Sequence, residues 1–363
     1  RSFGRTMSYI TGWLLALGNG ILCPWEAIAI STLVSEMFGS LPGLEWLRAV
    51  KLYTILGADV YLFPTLIALG FAAYVIFLNF RGASSAAKLQ AFLTKALLCG
   101  MLLAMGVSQV TGAGGGKAAT EGSSLFAGIV SVLVLTPFFY AGFDTIPQQA
   151  EEAAEGLNWN KFGKIISLAL LAAGGFYMVC IYSFGTILDW HEFVKSPVPA
   201  LACLKGINML LYLAMLVIAT LGPMGPMNSF YGATSRIMLA MGRKGQLPEK
   251  FAEVDPKSGA PKLACVVLGV ITVIGPFLGK NMLIPLTNVS ALAFIFSCGM
   301  VALACLRMRF TEPDLPRPYE VPGGKFGIGL AIAACAIIIG LLVIPFSPAS
   351  LNMVEWSIVI GWL

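Results

Sequence analysis

The sequence predicts an all-α fold, in which a polytopic membrane protein is built from helices that cross the bilayer. Hydrophobic residues make up 58% of the 363-residue chain, and charged residues make up only 11%. The mean hydropathy is +0.84. Apolar stretches of roughly 20 residues, the length that a helix needs to cross a bilayer, recur along the chain. We expect a single transmembrane domain over residues 1–363, because no polar stretch is long enough to form a soluble core.

Nine complete spans and the start of a tenth are predicted. In chain order, the nine apolar stretches lie at about 8–35, 59–80, 89–111, 125–147, 164–187, 208–234, 262–279, 284–306 and 325–346. The tenth begins near Val354 and is cut at Leu363. The chain opens with Arg1, enters its first span within about eight residues and shows no signal-peptide cleavage site. We therefore expect a fragment that lacks sequence at both ends.

The polar connections between the spans predict loops rather than domains. The stretch 241–262 mixes both charge signs with Gly and Pro, which favours a solvated loop that carries a short helix. The stretch 306–324 is rich in proline, so it cannot be helical throughout and should run extended over the surface.

Basic residues indicate the orientation, because Lys and Arg collect in short cytoplasmic loops. With ten alternating spans, the side of Arg1 carries 16 of the 23 Lys and Arg residues, the opposite side carries six, and Lys95 lies inside a span. The Arg1 side is therefore predicted to be cytoplasmic, in the plasma membrane. The net charge of +5 reflects this topology, and no basic cluster with interleaved aromatic residues suggests nucleic-acid binding.

The sequence lacks the patterns of catalytic and metal-binding proteins. Its eight cysteines fall mostly inside spans and form no C-x-x-C pair, so we interpret them as small apolar packing residues. The one histidine, His191, lies in a loop on the outer side, and neither an H-E-x-x-H motif nor a P-loop occurs. We therefore expect no metal, no cofactor and no enzyme activity.

The segment from Ser131 to Glu155 differs from the other spans because its middle is interrupted. Pro137, Gly142, Asp144 and Pro147 lie inside this membrane-length apolar stretch. A helix opened in hydrocarbon leaves backbone amide and carbonyl groups unsatisfied, which is costly. Backbone opened at this depth usually lines a site for a solute. The sequence therefore predicts a small-molecule site in this helix, and with it a transport function.

Four segments together resemble one family, the amino acid–polyamine–organocation permeases. The broken sixth helix of that family is similar to FFYAGFDTIPQQAEEA (138–153), and the stretch that joins its eighth and ninth helices is similar to SRIMLAMGRKGQLPEKFAEVDPKSGAPKLA (235–264). The loop after its tenth helix resembles LRMRFTEPDLPRPYEVPGG, and the start of its third helix resembles FGRTMSYITGWLLALGN. The resemblance implies the inverted-repeat (LeuT-like) transporter fold. It also implies that this fold is incomplete, with the first two helices absent and the last one truncated.

Under the resemblance, one half of the solute site lies in the broken helix. The carbonyls of Phe138, Phe139, Tyr140 and Ala141 would receive the ammonium group of the solute, while the family's first helix would hold the carboxylate. Phe138 matches the aromatic gate that closes over the solute, although a core-facing or lipid-facing aromatic is the alternative. Gly142 permits close approach or a positive φ at the break.

Asp144 has two interpretations. A carboxylate at this depth is by default functional. The alternative is that Asp144 caps the second half-helix, with Thr145 beside it and the helix dipole in support. The two roles are compatible.

Lys95 is the basic residue predicted to lie inside a span. One interpretation is that its long side chain reaches back to the cytoplasmic interface. The resemblance favours another, in which a lysine on the fifth helix replaces the sodium ion of related transporters and carries the coupling proton. Ser229 or Asn228 would contact it from the eighth helix.

Glu26 and Asn19 are polar residues in the first predicted span. Pro24 frees a carbonyl beside Glu26, so this part of the helix is expected to face protein. Glu26 either forms an ion pair with a neighbouring helix, or relays protons or recognises a cationic solute. Asn19 matches a position that contacts the solute side chain in arginine-specific relatives, although an asparagine packed against a neighbouring helix is the alternative.

These observations predict secondary active transport of an amino acid by alternating access, coupled to protons or by exchange. The expected partners are the small-molecule solute, the proton and the lipid bilayer. A polyamine or organic-cation carrier of the same family is the nearest alternative. A non-transporting amino acid sensor built on a permease fold is a second alternative.

Overall fold

The structure is a computed structural model that describes residues 2–81, 83–111, 124–148, 158–196, 198–317 and 319–363. Its helices, in chain order, are α1 (Gly4–Gly20), α2 (Leu22–Ser40), α3 (Leu62–Phe80), α4 (Ala83–Thr111), α5 (Leu125–Tyr140), α6 (Thr145–Gln148), α7 (Trp159–Gly185), α8 (Trp190–Lys195), α9 (Pro199–Ile207), α10 (Met209–Leu221), α11 (Met224–Arg243), α12 (Lys262–Ile274), α13 (Leu283–Thr311), α14 (Gly324–Val343) and α15 (Met353–Trp362). A hairpin of two strands, β1 (Lys51–Ile55) and β2 (Ala58–Tyr61), separates α2 from α3.

Seven stretches of the described chain are long and apolar enough to cross a membrane. They are Gly4–Ser40, Leu62–Phe80, Ala91–Thr111, Trp159–Gly185, Met209–Arg243, Lys280–Thr311 and Gly324–Val343. Three shorter apolar helices, Leu125–Tyr140, Lys262–Phe277 and Met353–Trp362, lie at the remaining predicted spans. Each of the ten predicted spans therefore has an apolar helix, and the prediction of a polytopic helical membrane protein is confirmed.

The first span is a pair of helices that bend at Ile21. Pro24 lacks an N–H group, so it cannot donate to the carbonyl of Gly20 four residues earlier. Helical hydrogen bonds nevertheless continue across the bend, from Ile21 N to Leu17 O at 2.9 Å and from Trp25 N to Ile21 O at 3.1 Å. The span runs from residue 4 to residue 40, which is longer at both ends than the predicted 8–35.

The hairpin was not predicted, and the second span begins at Leu62 rather than at residue 59. Leu56 and Gly57 connect the strands with φ values of 49° and 76°, as a two-residue hairpin turn with positive φ at both positions requires. Exposure alternates along β2, which is strand periodicity inside a stretch that hydropathy alone assigns to the membrane. Tyr53 donates its hydroxyl to Phe277 O at 2.6 Å, which fixes the hairpin to the 3₁₀ helix Gly275–Phe277 that follows α12.

The sixth predicted span, 208–234, is interrupted and longer than predicted. α10 ends at Leu221, and α11 begins after Gly222 and Pro223 and continues to Arg243. A short 3₁₀ helix, Glu249–Ala252, occupies the loop 241–262, where a short helix was predicted. The stretch 306–324 begins inside α13, which continues to Thr311, and turns and bends follow it.

The core is organised around α11, which packs against α1, α2, α3, α4 and α12. Its Tyr231 is fully buried and donates its hydroxyl to Cys265 O of α12. Asn79 of α3 donates to Asn228 Oδ1 of α11 at 2.8 Å, so the two helices are also joined by a buried polar contact. This scaffold supports one side of the interruption between α5 and α6.

Candidate functional site

The interrupted helix opens at 141–144, as the positions of its helix breakers predicted. α5 contains Pro137 and ends at Tyr140, and Ala141 follows with φ −57° and ψ 146°. Gly142 has φ +120°, a conformation that L-residues rarely adopt. Thr145 then starts α6 and donates its hydroxyl to Gly142 O at 2.7 Å. The glutamates that end this segment, at 151–155, lie outside the described residues.

The carboxylate of Asp144 accepts hydrogen bonds from two helices and from the break. Gly142 N donates to Asp144 Oδ1 at 3.1 Å. Asn19 Nδ2, from α1, donates to Asp144 Oδ2 at 3.1 Å and to Gln148 Oε1 at 3.0 Å. Gln148 also donates its amide to Asp144 Oδ2. The third residue after Asp144 is Pro147, which has no N–H, so a capping carboxylate at Asp144 could accept only from the residue before Pro147.

The amide oxygen of Asn19 has no partner in this network. Its side chain is fully buried, and its Oδ1 atom has no hydrogen-bond partner among the described residues. A buried acceptor left unpaired costs about 1–3 kcal/mol. The network therefore has room for one further donor at the break.

Aromatic rings enclose the end of α5. Phe138 is 6% exposed, and its ring centroid lies 5.2 Å from that of Trp25 on α2 and 5.5 Å from that of Phe139. Tyr177 of α7 donates its hydroxyl to Phe139 O at 2.8 Å, and Ala141 N donates to Phe138 O at 3.1 Å. Two of the four carbonyls assigned to the solute ammonium are therefore already hydrogen-bonded within the chain.

An open groove of about 670 Å³ borders the break on the side of α7, α13 and α14. Tyr140 and Phe143 line it from the break, Gly174 from α7, and Phe294 and Cys298 from α13. Its walls are mainly apolar, and its volume is within the range of sites for small molecules.

Glu26 lies in the buried part of α2 and is 7% exposed. Within the described part of the chain, its carboxylate makes no hydrogen bond and no ion pair. The ion pair with a neighbouring helix, one of its two interpretations, is therefore not found there. An unpaired carboxylate buried in a membrane helix is a candidate for a functional role.

Lys95 lies on the exposed face of α4. The buried face of this helix carries Leu93, Gly100 and Ala104, and Leu97 Cδ1 would lie 3.3 Å from a β-carbon built on Gly222. Two residues at about 100° each rotate the side chain of Lys95 by roughly 200° relative to that of Leu93, so it lies on nearly the opposite side of α4. Ser229, its predicted contact, is half-buried on α11.

The whole chain matches one family model. The model, described as amino acid permease, covers residues 1–362. The chain belongs to the amino acid permease family. The resemblance drawn from the four sequence segments is thereby confirmed, and with it the helical polytopic fold of this family. Its members are permeases rather than enzymes.

Curated relatives agree with this family. The chain is 27% identical over 217 residues to a branched-chain amino acid permease of Bacillus subtilis, which covers 59% of this chain and 45% of the relative. It is 26% identical over 284 residues to the human cystine/glutamate transporter, and the match covers 76% of this chain and 52% of that relative. It is 30% identical over 131 residues to an aspartate-proton symporter of Bacillus subtilis, and the match covers 35% of this chain and 24% of that relative. The chain spans about half the length of the first two relatives.

Three residues near the break, Gln148, Trp25 and Tyr177, were not predicted as site residues. Gln148 lies four residues after Asp144, a spacing that places two side chains on one helix face, so it was detectable from the sequence. Trp25 and Tyr177 approach the break from α2 and α7, and no local pattern marks them. Within the described part of the chain, no group of three or more His, Cys, Asp or Glu residues could hold a metal ion.

Proposed function

We propose that this chain belongs to an amino acid transporter that works by alternating access, with its solute site at the break between α5 and α6. Family membership supports the class of function. The observation that carries the location is the hydrogen bond from Asn19 to Asp144, which joins α1 to the opened backbone inside the membrane.

The break offers acceptors to the ammonium group of an amino acid. Phe138 O and Phe139 O already have donors, so the carbonyls of Tyr140 and Ala141 are the better candidates in the predicted set. Asn19 Oδ1 is buried and unpaired within the described residues and supplies a further acceptor. An ammonium group brings three donors, which suits this set. Gly142 allows the close approach, and Phe138 closes over the bound solute.

Proton coupling is the finer part of this proposal. One similar protein is named an aspartate-proton symporter. Of the two candidates predicted to carry the proton, Glu26 is buried and Lys95 is exposed, so the geometry favours Glu26. Ser229 stays a predicted contact of the coupling site.

The orientation follows from the basic loops. We infer that the Arg1 side is cytoplasmic and that the protein resides in the plasma membrane, because 16 of the 23 Lys and Arg residues lie on that side of the predicted topology.

Uptake into liposomes tests the proposal. The full-length protein is reconstituted and given labelled amino acids or putrescine, with and without an imposed pH gradient. Amino acid uptake driven by the gradient supports proton-coupled transport, and uptake only against internal amino acid supports exchange. Uptake of putrescine alone favours the polyamine alternative. Binding without any uptake favours the sensor and contradicts the proposal.

A further inference from the structure

Trp25 faces the aromatic ring that is predicted to close over the solute. The ring centroids of Trp25 and Phe138 are 5.2 Å apart, with an interplanar angle of 57°. Phe139 flanks Phe138 at 5.5 Å with perpendicular rings. Tilted and edge-to-face arrangements at these distances are attractive. Phe138 is therefore held between α2 and its own neighbour on α5.

The indole of Trp25 is itself fixed by α13. Its Nε1 donates to Leu283 O and to Thr287 Oγ1, each at 3.0 Å. Thr287 Oγ1 donates to Leu283 O at 2.8 Å, which orients the hydroxyl so that its oxygen can accept from the indole. One N–H shared by two acceptors of the same helix sets the position of the ring. Consequently α13 determines where α2 presents its aromatic surface to Phe138.

We propose that Trp25 is the fixed wall of the gate, a positioning residue that holds Phe138 closed while α13 holds Trp25. This inference rests on the proposed function, in which Phe138 closes over an amino acid. Phe138 lies two residues before the end of α5, next to the break, whereas Trp25 lies in the largely buried first turns of α2. The contact between them must open when the two helices separate. Its loss should accelerate release of the solute while the polar contacts at Asp144 stay in place.

The dissociation rate of a labelled amino acid from the purified full-length protein tests this inference. Trp25→Leu removes an aromatic pair and a shared hydrogen bond, so we expect release to be about 10-fold faster. Trp25→Phe keeps an aromatic surface but loses the N–H, and its rate should lie between those of Trp25→Leu and wild type. Trp25→Leu and Phe138→Leu should be non-additive in the double variant, because both remove the same contact.

Trp13 supplies a matched control on the neighbouring helix α1. It is also half-buried, its ring stacks on Trp362 at 4.5 Å, and its Nε1 donates to Trp362 O at 2.9 Å. Trp13→Leu should lower the melting temperature and leave the dissociation rate unchanged. Thr287→Val, which keeps the tryptophan but removes one acceptor, tests the same link if Trp25→Leu does not fold.

The inference is overturned if folded Trp25→Leu releases the amino acid at the wild-type rate, or no faster than Trp13→Leu does. Additive effects of Trp25→Leu and Phe138→Leu would overturn it as well. A wild-type protein that binds no amino acid would overturn the proposed function itself, so the two failures are distinguishable.

Discussion

Asn19 of α1 donates its Nδ2 to Asp144 Oδ2 at 3.1 Å, across 125 residues of sequence. The same amide nitrogen reaches Gln148 Oε1 at 3.0 Å, so one side chain holds both the last residue of the break and the last residue of α6. The contact ties the opened backbone to a helix that is packed on the buried scaffold of α11. It is the structural basis for placing the solute site at the break.

Asn19→Leu should weaken solute binding. The substitution removes both donated hydrogen bonds and leaves Gln148 Oε1 without its donor, at a cost of about 1–3 kcal/mol, or about 10-fold or more in apparent affinity. The KM of uptake in liposomes measures the effect. Asn281→Leu is the matched control, because Asn281 donates to Leu56 O in the hairpin at 2.7 Å and lies outside the break. An unchanged KM in folded Asn19→Leu contradicts the assignment.

Glu26→Gln should uncouple uptake from the proton gradient. The buried carboxylate has no hydrogen bond or ion pair within the described chain, so an amide of the same shape removes its titration with little effect on packing. Uptake driven by an imposed pH gradient should fall at least about tenfold if one proton-loading group is lost, while exchange of internal for external amino acid continues. Lys95→Ala should leave both measurements unchanged. The opposite pattern, with Lys95 essential and Glu26 dispensable, would restore Lys95 as the coupling residue.

Gly142→Ala should destabilise the break through its backbone. An added β-carbon would meet Phe230 Cζ at 3.7 Å, which is an ordinary contact, so space is not the obstacle. The φ of +120° is the obstacle, and holding an L-residue there costs about 1–3 kcal/mol. We expect a lower melting temperature and reduced uptake.

Gly106→Ala provides the comparison for Gly142→Ala. Gly106 is exposed inside α4, and an added β-carbon there has nothing within 4 Å. Alanine in a helix interior is favoured over glycine by about 0.5–1 kcal/mol, so this variant should be neutral or slightly stabilised. Equal destabilisation of the two variants would argue against a strained break.

The loop before α12 should lose stability in acid. The Lys262 ammonium, 2.9 Å from Asp255 Oδ1, and the hydrogen bonds from Ser258 lower the pKa of Asp255 to about 2. A lowered pKa in the folded state means that the contribution is complete above the unfolded pKa of about 4 and is lost as the pH falls toward the folded value. The melting temperature of wild type should exceed that of Asp255→Asn at neutral pH, and the difference should narrow below about pH 4. A difference that grows in acid would contradict this linkage.

Local sequence chemistry predicted the break but not every element around it. Pro137, Gly142 and Asp144 interrupt an apolar stretch. Because helix breakers act locally, the opening at 141–144 could be predicted from the sequence. The hairpin was not, because the apolar residues of β2 are also compatible with a membrane helix. The antiparallel pairing of β2 with β1, the positive φ values of Leu56 and Gly57 and the alternating exposure of β2 decide in favour of the strand.

Some residues of the site could likewise be predicted from the local sequence, and others are fixed only by tertiary packing. Asn19 and Asp144 were both predicted from the sequence, and the structure brings them into contact. The depth of Lys95 follows from hydropathy, but the face of α4 that is buried depends on the neighbours that Leu93 and Leu97 meet. Trp25 acquires its position from α13, more than 250 residues away in sequence, so no local pattern could assign it.

Solute counterflow tests the central claim most directly, because it requires transport through the site but no ion gradient. Liposomes that contain the full-length protein and unlabelled amino acid are diluted into labelled amino acid, and transient accumulation of label is recorded. Wild type and Asp59→Asn, a control in the hairpin of β1 and β2, should accumulate label. Asp144→Asn should not accumulate label, because the NH2 group of an asparagine cannot accept the hydrogen bonds that Asn19, Gln148 and Gly142 donate to the carboxylate. Undiminished counterflow in folded Asp144→Asn would contradict the claim that the solute is carried at this break.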